Sequence, residues 1–125
     1  MADHTSTCPL DELQIQVLRR LLSVSFDGVE ELRRQISMAR MSGEWSPNGS
    51  ASFDIYVPPG VPQSKLVDGP APIEAQVLDV EGRYLGELIL WITGGRISAL
   101  EYAWITDAPP TCLPNVGNIH VAAAR

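Results

Sequence analysis

The sequence predicts an α+β fold: an N-terminal helical pair packed on a four-stranded antiparallel sheet, or a five-stranded one if the tail adds an edge. Three observations carry this. Apolar residues recur at helical spacing early in the chain. Strand-like alternation starts at Phe53 and continues to Ile105. Short glycine-containing turns join the later strands, and such turns link antiparallel neighbours.

The first helix is expected from Pro9, at a first helical position, to about Ser25. Asp11 and Glu12 fall in its first turn. Leu10, Leu13, Val17, Leu18 and Leu21 share one face. Phe26-Asp27-Gly28-Val29-Glu30 restarts the chain. Asp27 is the expected cap of a second helix, with Glu30 completing a capping-box pattern and Gly43 as the stop. Val29, Leu32, Ile36 and Ala39 form its stripe.

Ser42–Ser50 reads as a loop. Phe53–Val57 alternates as a strand. Pro58–Pro72 is a proline-rich loop, long enough to suggest a function or mobility. Ile73–Val80 is the next strand, turned by Glu81-Gly82. Tyr84–Ile92 and Ile97–Ile105 then form a hairpin around Thr93-Gly94-Gly95-Arg96. Asn118–Ala122 is a candidate edge strand within a proline-containing tail, Asp107–Arg125. The whole chain, 1–125, reads as one domain with a flexible start, Met1–Cys8.

The hairpin is apolar on both faces, whereas a half-buried strand alternates apolar and polar. Two registers are open. A two-residue Gly94-Gly95 turn sets Thr93 opposite Arg96 and Leu88 opposite Glu101. A three-residue loop with a bulge at Gly95 sets Gly86 opposite Tyr102, Leu88 opposite Leu100 and Glu87 opposite Glu101. The second is preferred, because it places an aromatic over a strand glycine and keeps Glu101 away from the leucines. In both, Ile89 and Trp91 lie on the second face. The proline-rich segments or another chain are expected to cover that face; otherwise it stays partly exposed as a ligand surface.

The formal charge of −6 and pI near 4.7 argue against a general phosphate-backbone binder. The same balance suits a basic partner. Arg19, Arg20, Arg33 and Arg34 are expected to pair with Glu12, Glu30 and Glu31. Cys8 and Cys112, far apart in sequence, read as reduced thiols, with one bridge between them as the alternative. No cysteine or histidine spacing suggests a metal, and no cofactor motif appears. The first residues lack a basic-then-apolar leader, and the longest apolar run is far below the roughly 20 residues of a membrane helix. The expected location is cytoplasmic, with no membrane or nucleic-acid partner.

Among candidate chemical groups, Glu87, Glu101 and Asp107 stand out. Two close carboxylates hold a cation or share a proton, and Asp107 follows a strand end. Asp107 before Ala108-Pro109 also fits a turn cap. No serine, cysteine or histidine constellation identifies a nucleophile. Trp45, in the Gly/Pro/Ser loop, either pins that loop to the core or anchors a partner.

Gly95-Arg-Ile-Ser-Ala-Leu-Glu-Tyr-Ala-Trp-Ile-Thr-Asp-Ala-Pro-Pro110, followed by Leu113-Pro114, resembles a signature of short, uncharacterised actinobacterial proteins. Leu21–Leu32 and the strand Gly86-Glu-Leu-Ile-Leu-Trp91 resemble them too. No activity is established for that family, so the resemblance implies no functional residue. Some relatives carry cysteines where this chain has Ser42–Ser50; here there are none, so no metal role is implied at that loop.

These readings converge on a non-catalytic protein-interaction module, homodimeric or inhibitor- or immunity-like. Its expected surface is Trp45, Leu85, Ile89 and Trp91. The alternative is a small-molecule-binding protein or weak enzyme using Glu87, Glu101 and Asp107.

Overall fold

In the computed structural model, which describes residues 6–45 and 51–124, two short helices lie against an antiparallel sheet of eight strands. The α+β class is as expected, but the sheet is larger than the four or five strands predicted. The expected flexible start lies partly outside the described residues, and its last residue, Cys8, joins the sheet.

The strands are β1 (Cys8–Pro9), β2 (Arg40–Glu44), β3 (Phe53–Tyr56), β4 (Gly69–Pro70), β5 (Ile73–Leu78), β6 (Tyr84–Thr93), β7 (Arg96–Trp104) and β8 (Ile119–Ala123). Their order is β1-β2-β3-β7-β6-β5-β8, and β4 pairs with the turn end of β6 beside β5. The added strands are β1, β2 and β4. Pro9 therefore belongs to a strand rather than a helix. Gly43 and Glu44 are paired with β3 rather than looped, with Ser42 as a bulge, and residues 46–50 of that expected loop lie outside the described residues.

Helix α1 (Glu12–Leu21) starts three positions later than expected because Asp11 is a better cap than a Pro9 start. The Asp11 carboxylate accepts from the Gln14 amide at 2.7 Å, and the Gln14 side chain accepts from the Asp11 amide at 2.9 Å. Helix α2 (Val29–Gln35) is shorter than expected and is capped by Gly28 at φ 97° instead of by the Asp27 side chain. Asp27 instead pairs with Lys65 at 3.4 Å. A 3-10 turn, Ile36–Met38, and an extended Ala39 carry the chain straight into β2. Ile36 and Ala39 stay buried all the same, so the stripe outlasts the helix that suggested it.

Val17, Leu18, Leu21, Leu22 and Leu32 are fully buried against Phe53, Leu90, Ile92, Ile97, Leu100 and Ile119. Each such side chain contributes about 1.5–3 kcal/mol of burial relative to exposure. The tail runs along this same side: Leu113 is buried in the core, and Val116 packs against it. One face of the sheet is thus covered by helices and tail.

The β1 edge is blunt, and the β8 edge is capped at its start. β1 is two residues long and ends in Pro9, which has no amide to donate. On β8, Ile119, Val121 and Ala123 turn their backbone groups outward, given the Ala124 amide bond to the Pro72 carbonyl. Arg20 of α1 places Nε and an Nη on the Ile119 carbonyl at 3.1 and 3.0 Å. Arg33 likewise donates to the carbonyls of Leu22 and Val24 and pairs with Glu30 at 2.8 Å. Arg20 and Arg33 thus stitch the helix layer to backbone; of the ion pairs expected for Arg19, Arg20, Arg33 and Arg34, only Arg33–Glu30 forms among the described residues.

Candidate interaction face

The hairpin register decides what the uncovered face presents. Gly94 and Gly95 have φ of 60° and 73°, the two positive angles of a two-residue hairpin turn, and Thr93 pairs with Arg96. The bulge is therefore not at Gly95. It lies at Ser98, between the pairs Ile92–Ile97 and Trp91–Ala99. Ser98 is held there by hydrogen bonds to the Trp91 carbonyl at 3.1 Å and from Thr93 at 3.0 Å.

Beyond Ser98 the pairing differs from both expected registers. Leu90 opposes Leu100, Leu88 opposes Tyr102, and Gly86 opposes Trp104. An aromatic residue does cross the strand glycine, but it is Trp104 rather than Tyr102. Gly86 is needed because its φ is 153° and an added Cβ would collide with the Ala103 carbonyl oxygen. Glu87 opposes Ala103 and Glu101 opposes Ile89, so the expected Glu87–Glu101 pair is not formed. The shift relieves the like-charge opposition that pairing would impose.

Glu87, Ile89, Trp91, Ala99, Glu101 and Ala103 lie on the face away from the helices. Leu85, expected with them, is the unpaired residue of a bulge between the pairs Val77–Gly86 and Leu78–Tyr84, and it packs against the core instead. Asp54 and Tyr56 extend the open face through β3, and Glu74 and Gln76 through β5. The proline-rich loop does not cover this face. It packs on the turn instead: the Ser64 amide donates to the Gly95 carbonyl at 2.8 Å, and Gln63 donates to the Gly94 carbonyl at 2.8 Å. Gln35, 0% exposed, completes this anchor from α2. Its amide nitrogen donates to the carbonyls of Pro62 and Gly95 at 2.8 and 2.9 Å, and its oxygen accepts from Ile97 at 2.9 Å.

Carboxylates on the open face pair with aromatic donors. The Trp91 indole donates to Glu101 at 3.0 Å, the Trp45 indole to Asp54 at 2.8 Å, and the Tyr84 hydroxyl to Glu87 at 3.0 Å. Trp45 is 45% exposed and stands outside the core cluster, so it does not pin a loop to the core. Asp54, Ala99 and Trp91 form one cross-strand row. Asp54 and Trp91 are therefore two strand spacings apart, about 10 Å. Ala99 between them is only 6% exposed. The floor of the row is small and the rims are aromatic.

The Trp45–Asp54 pair depends on β2, which the sequence reading had as loop. β2, Arg-Met-Ser-Gly-Glu, carries no hydrophobic alternation that would have signalled it. Asp107 is exposed, beyond the end of β7 and apart from Glu87 and Glu101. The 420 Å³ cavity lies elsewhere, among Leu10, Ile15, Arg19, Ile36 and Tyr56 at the α1 end of the sheet. Among the described residues, no group of three or more His, Cys, Asp and Glu is placed to hold a metal ion. Cys8 and Cys112 are both free and exposed, so the alternative bridge is not formed. Among the described residues, no helix is long and apolar enough to cross a membrane.

Comparison with protein-family models, with curated proteins and with solved structures finds no match.

Proposed function

We propose that this chain is a non-catalytic protein-interaction module, cytoplasmic, whose contact surface is the open face of the sheet. One observation carries the reading. Ile89 and Trp91 stand partly exposed on a sheet face over which neither the helices, the tail nor the proline-rich loop is laid, and Trp45 stands beside them. Apolar patches of this kind, rimmed by polar groups, mark contact sites, and tryptophan is favoured at their centres.

The reading as a small-molecule site or weak enzyme at Glu87, Glu101 and Asp107 draws no comparable support. Asp107 stands apart from the two glutamates, and each glutamate is already engaged by an aromatic donor.

A photo-crosslinking residue placed at Ile89 tests the proposal in the native lysate. Val67, 85% exposed on the proline-rich loop, is the control position. A discrete crosslinked protein from position 89, absent from position 67 and lost with Trp91→Ser, is the expected result. Equal labelling from both positions, or none from position 89, overturns it.

A further inference from the structure

Trp91 with Glu101, and Trp45 with Asp54, repeat one arrangement: an indole N–H held by a carboxylate, at the two rims of a shallow row floored by Ala99. Each couples a flat π-surface to a negative charge. A guanidinium stacked on an indole face gains from the ring quadrupole and from the carboxylate at its edge together. Building on the reading of this face as an interaction surface, we propose that the two tryptophan–carboxylate pairs receive arginine side chains of a basic protein segment lying across Ala99.

The charges on the face support this partner. Asp54, Glu74, Glu87 and Glu101 share it, and none lies within ion-pair distance of a cation among the described residues. Arg40 and Arg96 sit toward its turn end, and Arg40 is occupied by Thr7 at 2.8 Å. His120 lies two strands from Glu87, with Gln76 between them. The negative charge is therefore unbalanced within the face, as it is in the chain, at −6. An arginine-bearing partner supplies the missing sign, and encounter is steered by the same field.

An extended segment suits the spacing. Residues four apart on a strand point the same way and lie about 13 Å apart, so a strand crossing obliquely spans rims about 10 Å apart with two arginines. Trp104 is a built-in control, because it lies across from Gly86 on the helix side of the sheet.

The experiment titrates the full chain with a nine-residue peptide of alternating arginine and threonine, read by the three indole N–H resonances. Peptides with lysine or glutamate in place of arginine are the comparisons. The expected result is movement of the Trp45 and Trp91 signals with Trp104 still. Glu101→Gln with Asp54→Asn should weaken binding at least tenfold while leaving the backbone spectrum folded, and the lysine peptide should bind several-fold more weakly. No movement, equal movement with the glutamate peptide, or unchanged binding by the double variant overturns the proposal. If the residue-89 crosslink persists while the arginine peptide fails, the face is an interaction surface of another chemistry. If both fail, the module reading falls with it.

Discussion

The side-chain amide of Gln35 donates to the Gly95 carbonyl at 2.9 Å, joining the last residue of α2 to the tip of a hairpin 60 positions away in sequence. The same side chain accepts from the Ile97 amide, and the Ser64 amide shares the Gly95 carbonyl. Helix, proline-rich loop and hairpin therefore meet at one uncharged, fully buried residue. Gln35→Leu keeps the volume but leaves the Ile97 N–H without its acceptor. It should cost about 2–4 kcal/mol, since a buried orphan group carries its full desolvation penalty. Denaturant midpoints measure the loss. Amide exchange at Ile97 should accelerate more than at Leu90, which distinguishes local release from global weakening.

Gly86→Ala should destabilise the chain by roughly 2–4 kcal/mol, because the new methyl meets the Ala103 carbonyl at a φ that L-residues avoid. Gly43→Ala has open space around its Cβ and should change stability by less than about 1 kcal/mol. Thermal melts of the pair separate crowding from the general cost of altering a strand glycine.

Burial pushes the Tyr102 phenol above its ordinary range, and the nearby Cys112 thiol, once ionised, adds to it. The folded state thus favours the neutral phenol. Its contribution is fully present below about pH 10, where the unfolded phenol ionises, and is lost as pH rises through the higher folded value. Tyr102→Phe should therefore show a shallower loss of stability above pH 10 than the parent chain. Parallel slopes would refute this.

Asp79 behaves oppositely. Its carboxylate accepts backbone N–H groups from Arg83 and Glu81, both at 2.9 Å, and the Arg83 guanidinium. The Arg83 amide bond is the leading cause that holds it below the usual carboxylate range. Its contribution is present above the ordinary aspartate range and is lost as pH falls through the lowered value. Asp79→Asn should be less stable than the parent at neutral pH. The gap should narrow on acidification, as followed by thermal melts from pH 7 downward.

Much of this fold is legible in the chain because hydrophobic period is legible. Val17, Leu18 and Leu21 mark α1 by spacing alone, and the long apolar runs mark β6 and β7. What escapes is structure made by backbone. β2 is Arg-Met-Ser-Gly-Glu, with little apolar signal, and β3 is what completes it. Ser98 reads as an ordinary alternating residue, and only its bonds to Thr93 and Trp91 reveal a bulge. The open face follows the same division. Ile89 and Trp91 share a face because they lie two apart in an unbroken stretch of β6, whereas the same parity fails at Leu85, where the strand bulges. That Glu101 meets Trp91 rather than Glu87 depends on one extra residue in the opposing strand, and that Trp45 meets Asp54 depends on a strand without a hydrophobic pattern.

The Arg20 fork on Ile119 has a consequence for growth. Sheets lengthen by borrowing carbonyls and amides at a free border, and here one border is two residues long while the other begins under a guanidinium already spent on it. Copies of this chain meeting through the open face would bury it in a single pairing and leave no equivalent surface for a third. Association by that route terminates, so a surface rich in exposed tryptophan need not carry a tendency toward fibres.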